Sequence, residues 1–230
     1  MEIAWSSDRS LLVTFADADS DGAHARVVGA DAAIRGASLP GVMDVVPAYA
    51  SIMVLFQSPG VDHIGAESAV RAVIAAGFAP AMQSGPTLIL PCCYEGAFAP
   101  DLSEVAALHS LSPDEVIGLH AGTTLTVRFV GFSPGFPYMA GLPECLHTPR
   151  LSSPRTRVPA GSVAIAGAQA GVYPQSTPGG WRILGRTPAK IFDPARTPHT
   201  TLVMGTHVRF RPISAREFDA FNPGEWGLRA

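Results

Sequence analysis

The sequence predicts an α+β protein made of two small domains, a split-βαβ sandwich followed by a small barrel or sandwich of β-strands. The first observation is length, since 230 residues suffice for one large domain or two small ones with cores of their own. The second is composition, because 47% hydrophobic and 15% charged residues are typical of a compact globule. The third is that strand and helix patterns restart after a proline-bounded joint at residues 91–100.

The N-terminal domain is predicted over residues 1–88. Its apolar spacing alternates between the strand period and the helix period, in the order strand, helix, strand, strand, helix, strand. The six segments are residues 10–15, 21–37, 42–48, 51–57, 63–76 and 87–92. This order is that of a compact split-βαβ sandwich.

The C-terminal domain is predicted over residues 89–230 and begins with two helices. Asp101 with Glu104, and Ser112 with Glu115, have the spacing of a capping box at a helix N-terminus. The second helix places His120 in its last turn, where a protonated imidazole gains from the helix dipole. Short β-rich runs between Gly/Pro turns then predict a small barrel or sandwich, over residues 124–130, 162–166, 181–184, 200–204 and 207–211.

Charge and motif content argue against several classes of function. A formal net charge of −3 gives no reason to expect nucleic acid or an anionic membrane as partner. With neither an export signal nor an apolar run of about 18 residues, we expect a cytoplasmic protein. Neither HxH nor HExxH spacing occurs, so no metal site is expected. Three cysteines without CxxC spacing indicate neither disulfides nor zinc and are expected to be small buried hydrophobes: Cys92, Cys93 and Cys145.

Residues 131–188 form the chemically richest segment. They contain 9 glycines and 9 prolines in 58 residues, or about 31%, compared with roughly 12% in average proteins. This content predicts long loops held in one conformation. Rigid loops on a barrel are a common place for binding residues. Aromatic side chains supply apolar anchors and are expected to form an apolar pocket at the barrel mouth: Phe132, Phe136, Tyr138 and Trp181.

The same segment has five arginines, one glutamate (Glu144) and neither aspartate nor lysine. Guanidinium forks suit carboxylate and phosphate, so we predict an anion or substrate site at the barrel mouth. Its proposed members are flanked by backbone-restricting residues or lie in the neighbouring motifs: Arg155, Arg157, Arg186, Gln169 and Tyr173. The alternative is that the arginines only cover and tie down loops.

Gly131–Gly135 matches the GxSxG pattern of a serine-hydrolase nucleophile elbow. That elbow needs a helix directly after its serine, and Pro134 and Pro137 oppose such a helix. Neither a GxxxxGK[ST] phosphate loop nor a GxGxxG dinucleotide fingerprint occurs. These enzyme classes are therefore disfavoured.

Several long motifs in order carry a resemblance to a known family. They are residues 131–143 (GFSPGFPYMAGLP), 157–167 (RVPAGSVAIAG), 171–174 (GVYP), 178–181 (PGGW), 185–188 (GRTP) and, upstream, 39–42 (LPGV), 45–49 (VVPAY) and 111–120 (LSPDEVIGLH). Together they resemble the family of the 5-oxoprolinase B subunit, also called the Kip-inhibitor or allophanate hydrolase subunit 1 family. That family forms one half of a carboxyltransferase-like domain.

The resemblance implies a ferredoxin-like N-terminal domain and a cyclophilin-like β-barrel domain. It also implies partners, namely the 5-oxoprolinase C subunit, of the Kip-antagonist type, and a third lactam-utilisation subunit, which together open 5-oxoproline to glutamate at the expense of ATP. ATP with magnesium is then the expected cofactor, bound jointly with a partner, and no tightly bound cofactor is expected. The only acidic side chain in the loop segment is that of Glu144, so we expect the chain to be inactive alone.

Two other functions remain open within the same family. Relatives fused into urea amidolyase and urea carboxylase act in carboxyl transfer or amide hydrolysis, and another relative inhibits a sensor histidine kinase. In either enzymatic case His120 is the candidate catalytic acid or base, since an unperturbed imidazole pKa near 6.5 suits proton transfer at neutral pH.

Overall fold

The computed structural model describes residues 1–16, 21–57, 60–79 and 85–222. The chain divides into two compact units, Met1–Gln83 and Ser84–Ala230. The mixture of helices with antiparallel sheet and a closed barrel confirms the predicted α+β class.

The first unit is a four-stranded antiparallel sheet with two helices. Its elements are β1 (Glu2–Ser7), β2 (Ser10–Thr14), α1 (Asp21–Gly36), β3 (Val42–Pro47), β4 (Ser51–Phe56) and α2 (His63–Ala75), with sheet order β1-β2-β4-β3. On β4 every second side chain is buried, beginning with Ile52 and Val54, as expected for a sheet with one covered face. These residues pack with Val27 and Ile34 of α1 and Val70 of α2.

The second unit is built around a closed barrel. Its strands are β5 (Thr87–Cys93), β6 (Leu125–Val130), β7 (Pro137–Ala140), β8 (Arg155–Val158), β9 (Ser162–Ala166), β10 (Gln169–Val172), β11 (Thr177–Gly179), β12 (Arg182–Arg186) and β13 (His207–Ile213). Its helices are α3 (Leu102–Leu108), α4 (Pro113–Gly122) and α5 (Ala215–Asp219). Seven strands close the barrel in the order β10-β7-β6-β13-β5-β12-β9, while β8 and β11 form a separate two-stranded ribbon.

One strand lies in a different unit from the one predicted. We expected residues 87–92 to complete the N-terminal sheet, but β5 pairs in parallel with β13, from Thr87 opposite His207 to Cys93 opposite Ile213. The predicted split-βαβ order is therefore wrong in its last strand, and β1 takes an edge of the sheet instead. An apolar run shows that a strand forms but not which strand it pairs with.

Residues 131–188 contain more regular structure than the predicted loops. Four short strands that the glycine and proline content concealed lie there: β7, β8, β10 and β11. Conversely, the predicted strand at residues 200–204 is wrong, because only Thr200 forms an isolated bridge, with Phe192.

The helix caps confirm one prediction and correct another. Ser112 and Glu115 form the predicted capping box at α4. Asp101 precedes α3 but its side chain makes no cap hydrogen bond, because it bonds elsewhere, as described below. Cys92 and Cys93 are buried as expected, whereas Cys145 is exposed, contrary to the prediction.

The barrel interior is filled with apolar side chains. All seven barrel strands, α3 and α4 contribute to one cluster, which includes Leu90, Leu125, Met139, Ile165, Val172, Leu184 and Val208. Each of these seven side chains is fully buried. The interior is therefore a packed core, and a binding site must lie on the wall or at an end of the barrel.

Candidate functional site

His120 lies in the core of the second unit. Its ring is fully buried, stacks on Phe210 at 4.7 Å between ring centroids, and places Nδ1 2.8 Å from the Tyr94 hydroxyl. Burial lowers the pKa of the imidazole to about 4, so the ring is neutral at pH 7. A group that exchanges protons with a substrate must reach it, so this placement argues against the catalytic role expected from the sequence.

The four aromatic residues expected to form a pocket do lie together, and Tyr173 joins them. Phe136 is at the centre, with ring centroids 5.0 Å from Tyr138, 5.2 Å from Tyr173 and 5.5 Å from Trp181, all in edge-to-face arrangements. Phe132 packs edge-on against Phe136 at 5.5 Å. We call this set the outer aromatic cluster: Phe132, Phe136, Tyr138, Tyr173 and Trp181.

This cluster lies on the outside of the barrel wall. Along β9, Val163 and Ile165 belong to the interior core, whereas Ala164 and Ala166 pack with the outer aromatic cluster. Successive side chains of a strand point to opposite faces, so the two sets lie on opposite sides of the wall. The expected position at the barrel mouth is therefore wrong for these aromatic residues.

The segment that resembled a nucleophile elbow is a tight turn. The Gly131 N–H donates to the Phe136 carbonyl oxygen, and the Phe136 N–H donates to that of Ser133. Strand β7 follows directly, not a helix. The geometry thus lacks the strand–turn–helix that positions a catalytic serine. Phe132 has a φ of 63° and is 64% exposed.

Arg155 has an internal partner that the sequence did not reveal. Its Nη2 lies 2.5 Å from Oδ1 of Asp101, whose other oxygen, Oδ2, accepts a 2.7 Å hydrogen bond from the Ile183 N–H. Asp101 is buried, and its carboxylate links the start of α3 to strands β8 and β12. The acids that pair with Arg155 and Arg182 lie outside the loop segment, in α3 and at the residue preceding it.

The remaining arginines also divide by environment. Arg182 lies 2.6 Å from Glu104, and the Arg150 guanidinium lies over the Trp181 ring at 5.8 Å. Arg157 is exposed, and its Nε donates to Ser176 Oγ at 3.2 Å. The predicted cluster of Arg155, Arg157 and Arg186 is therefore not one site in this structure.

Arg186 lines a cavity of about 430 Å³, which we call the end cavity because it lies where β9 starts and β10 and β12 finish. The described residues of its lining come from four stretches: residues 160–161, 173–174, 186–191 and, in the last, 218, 219 and 221. Of the residues predicted for the site, Arg186 and Tyr173 lie in the lining. Gln169 starts β10, roughly 13 Å from Tyr173 at about 3.3 Å per residue, so the two do not meet.

Gly161 joins three of these stretches. Its N–H donates to the Tyr173 carbonyl oxygen at 2.7 Å, and its own carbonyl accepts from the Thr187 N–H at 2.9 Å. Its φ is 82°, and a Cβ would clash with the Thr187 carbonyl oxygen. Only glycine fits this position without strain, which explains why the loops lining the end cavity depend on it.

The fourth wall of the end cavity is α5, which sequence reasoning missed. A capping box of Ser214 and Glu217 starts the helix, and Glu95 Oε2 accepts a 3.0 Å hydrogen bond from the Ala215 N–H. Phe218 packs on Phe98 at 4.4 Å. The Ser-x-x-Glu spacing at residues 214–217 was a readable signal for this helix.

Among the residues that the structure describes, four charged side chains line or border the end cavity. Arg186 donates from Nε to the Ala160 carbonyl oxygen at 2.8 Å, and its guanidinium lies over the Phe218 ring at 5.8 Å. Lys190 pairs with Asp193 at 2.9 Å. Within the part of the chain that the structure describes, neither Arg186 nor Asp219 has an ion-pair partner.

The described residues offer neither a metal cluster nor a membrane-spanning helix. Their His, Cys, Asp and Glu side chains form no group of three or more that could hold a metal ion. None of the described helices is both long enough and apolar enough to cross a bilayer.

Comparison with known proteins gives the same family over most of the chain. A family model described as carboxyltransferase domain, subdomain C and D, matches residues 1–202. The 5-oxoprolinase B subunit of Bacillus subtilis (strain 168) is 37% identical over 230 residues, covering 96% of each chain. The protein of the same name from Escherichia coli O157:H7 is 42% identical over 179 residues, 77% of this chain and 81% of that one.

Solved structures agree on the fold. A crystal structure of TTHA0988 matches with a TM-score of 0.76 and 32% identity, over 90% of this chain but only 40% of that longer chain. The urea amidolyase of K. lactis matches with a TM-score of 0.76 over 95% of this chain and 15% of its own, at 17% identity. That low identity supports a shared fold and nothing further.

Proposed function

The chain belongs to the family of carboxyltransferase domains, subdomains C and D, and we propose that it is the B subunit of an ATP-dependent 5-oxoprolinase complex. The observation that carries the proposal is its similarity to a 5-oxoprolinase B subunit over 96% of both chains. The end cavity supports it further, because Arg186, which has no ion-pair partner among the described residues, lies beside apolar walls. The urea-type alternative has the support of fold alone.

The proposed reaction explains why such a cavity is useful. A lactam amide is a poor electrophile. Transfer of the γ-phosphoryl group of ATP to its oxygen, with release of ADP, makes the carbonyl carbon easier for water to attack, and the ring C–N bond then breaks as phosphate leaves. Catalysis of this kind depends mainly on positioning the substrate and stabilising charge. We assign this chain the positioning of the substrate anion in the end cavity.

We expect magnesium and ATP to be bound jointly with partners rather than by this chain alone. Magnesium is usually held by one or two carboxylates together with phosphate oxygens, and Glu144 is the only acidic residue of the loop segment 131–188. We therefore expect the nucleotide and its metal to be held mainly by the partners, the C subunit of the Kip-antagonist type and a third lactam-utilisation subunit. Because such a complex consumes ATP, we expect it in the cytoplasm.

Reconstitution tests the proposed function. The chain is purified alone and together with the Kip-antagonist-type C subunit and the lactam-utilisation protein from the same genome, and ATP hydrolysis is measured with 5-oxoproline or urea. We expect glutamate formation and 5-oxoproline-dependent ATP hydrolysis only in the complete mixture, and no stimulation by urea. Turnover by the isolated chain, or stimulation by urea alone, would contradict the proposal.

A further inference from the structure

Two opposite charges without ion-pair partners among the described residues line the same cavity. Arg186 and Asp219 both lie in the lining of the end cavity. We infer that this cavity binds a small lactam or amino acid at two points, with Arg186 holding its carboxylate and Asp219 accepting its neighbouring N–H. The inference rests on the proposed function and specifies how its substrate is recognised.

The Arg186 side chain is preorganised to bind a carboxylate. Its Nε is engaged by the Ala160 carbonyl oxygen and its plane lies over Phe218, so the side chain loses little further freedom when a ligand binds. Within the described residues its two terminal amino groups have no carboxylate partner. A guanidinium edge with two free N–H groups matches the two oxygens of a carboxylate.

Asp219 adds a selectivity that a simple anion site would lack. It is the exposed last residue of the short helix α5, beside carbonyl groups that do not favour a negative charge, and it has no ion-pair partner among the described residues, so the position gives the fold no evident stabilisation. A carboxylate beside Arg186 weakens the attraction for a small anion such as phosphate. It strengthens the attraction for a molecule that presents an N–H or ammonium group next to its carboxylate.

The rest of the cavity suits a small ring. Lys190 is neutralised by Asp193, so among the described lining residues Arg186 and Asp219 are the charges available to a ligand. Ile191, Phe218 and Phe221 supply apolar wall. About 430 Å³ lies within the range of roughly 300–1,000 Å³ typical of ligand pockets and accommodates a five-membered lactam acid with water around it.

Calorimetric titration of the full chain, alone and in the reconstituted complex, tests the inference with three probes. They are 5-oxoproline, the lactone of the same shape in which oxygen replaces the ring N–H, and inorganic phosphate. We expect at least about tenfold tighter binding of the lactam than of the lactone, since an accepting carboxylate would face a lone pair instead of a donor. Phosphate should bind most weakly.

Variants separate the two contacts. Arg186→Gln should weaken lactam and lactone binding alike, by about ten- to a hundredfold, the range for one charge-assisted bond. Asp219→Ala should abolish the preference for the lactam and improve phosphate binding. Arg157→Gln and Asp114→Asn remove the same charges from exposed positions outside the lining and should leave all three affinities unchanged.

The outcomes distinguish this inference from the proposed function. If phosphate binds as tightly as the lactam, or if Asp219→Ala keeps the preference, two-point recognition is wrong. If the complex turns over normally with both variants, the cavity is not the substrate site although the proposed function stands. If the binding pattern holds but the complete mixture shows no 5-oxoproline-dependent ATP hydrolysis, the proposed function fails and the ligand class stands. Thermal unfolding of each variant confirms that it is folded.

Discussion

The buried polar pairs of the second unit and its end cavity differ in how their charged and polar side chains are partnered. Buried Asp101 bonds to Arg155 and to the Ile183 N–H, and buried His120 is bonded to Tyr94 through one ring nitrogen. At the end cavity, Arg186 and Asp219 have no ion-pair partner among the described residues. Both regions contain an arginine from the same segment, residues 131–188.

The difference shows that local sequence does not separate an arginine that forms an internal ion pair from one that lines a cavity. Arg155 and Arg186 both stand in motifs rich in proline and glycine. One meets a buried carboxylate supplied by the residue before α3 and the other borders a cavity. Substitutions in the interior should therefore reduce stability, whereas those at the end cavity should mainly reduce ligand binding.

The largest expected effect is that of Asp101→Ala. Removing this buried carboxylate leaves the Ile183 N–H without its acceptor and Arg155 without its counter-charge, so we expect a loss of about 3–4 kcal/mol in the free energy of unfolding. Urea denaturation monitored by tryptophan fluorescence measures it. Asp114→Asn, at an exposed position, is the control. A loss below about 1 kcal/mol would show that the interior does not depend on this carboxylate.

His120 should make stability depend on pH. Its folded pKa of about 4 lies below the ordinary value of 6.5, so its contribution is fully present above pH 6.5 and is lost as pH falls through about 4. The full loss is about 3 kcal/mol at 1.36 kcal/mol per unit.

The measurement compares wild type with His120→Phe by urea denaturation between pH 7 and pH 4. Phenylalanine retains packing on Phe210 but cannot be protonated. As pH falls from 7 to 4, wild type should therefore lose most of this stability relative to the variant. A constant difference across this range would mean that the ring is accessible to protons in the folded state.

The smallest effect on stability is expected for Arg186→Gln, which is tested directly against Arg155→Gln. Arg155→Gln leaves Asp101 without its cation and should cost about 1–3 kcal/mol in unfolding free energy, whereas Arg186→Gln should cost less than about 1 kcal/mol. Both are measured by urea denaturation at pH 7. Equal losses would mean that Arg186 is as structural as Arg155.

Local patterns predicted many of the elements. The capping box of Ser112 and Glu115, and the strands β4, β6 and β9, depend on residues close in sequence and lie where predicted to within a residue or so. The position of β5 was not predictable in this way, because its neighbour β13 lies about 120 residues later. The Asp101 side chain could satisfy a cap or a distant strand, and only packing decides between them.

The composition of the segment that contributes to the site was evident from the sequence: it is rich in glycine and proline, contains several aromatic residues and has an excess of arginine. The tertiary structure alone decided how they are used. It placed the aromatic residues outside the barrel wall, sealed His120 in the core, paired Arg155 with Asp101 and brought α5 beside Arg186. The physical reason is that a charge acts on whatever lies within a few ångströms, and those neighbours come from distant parts of the chain.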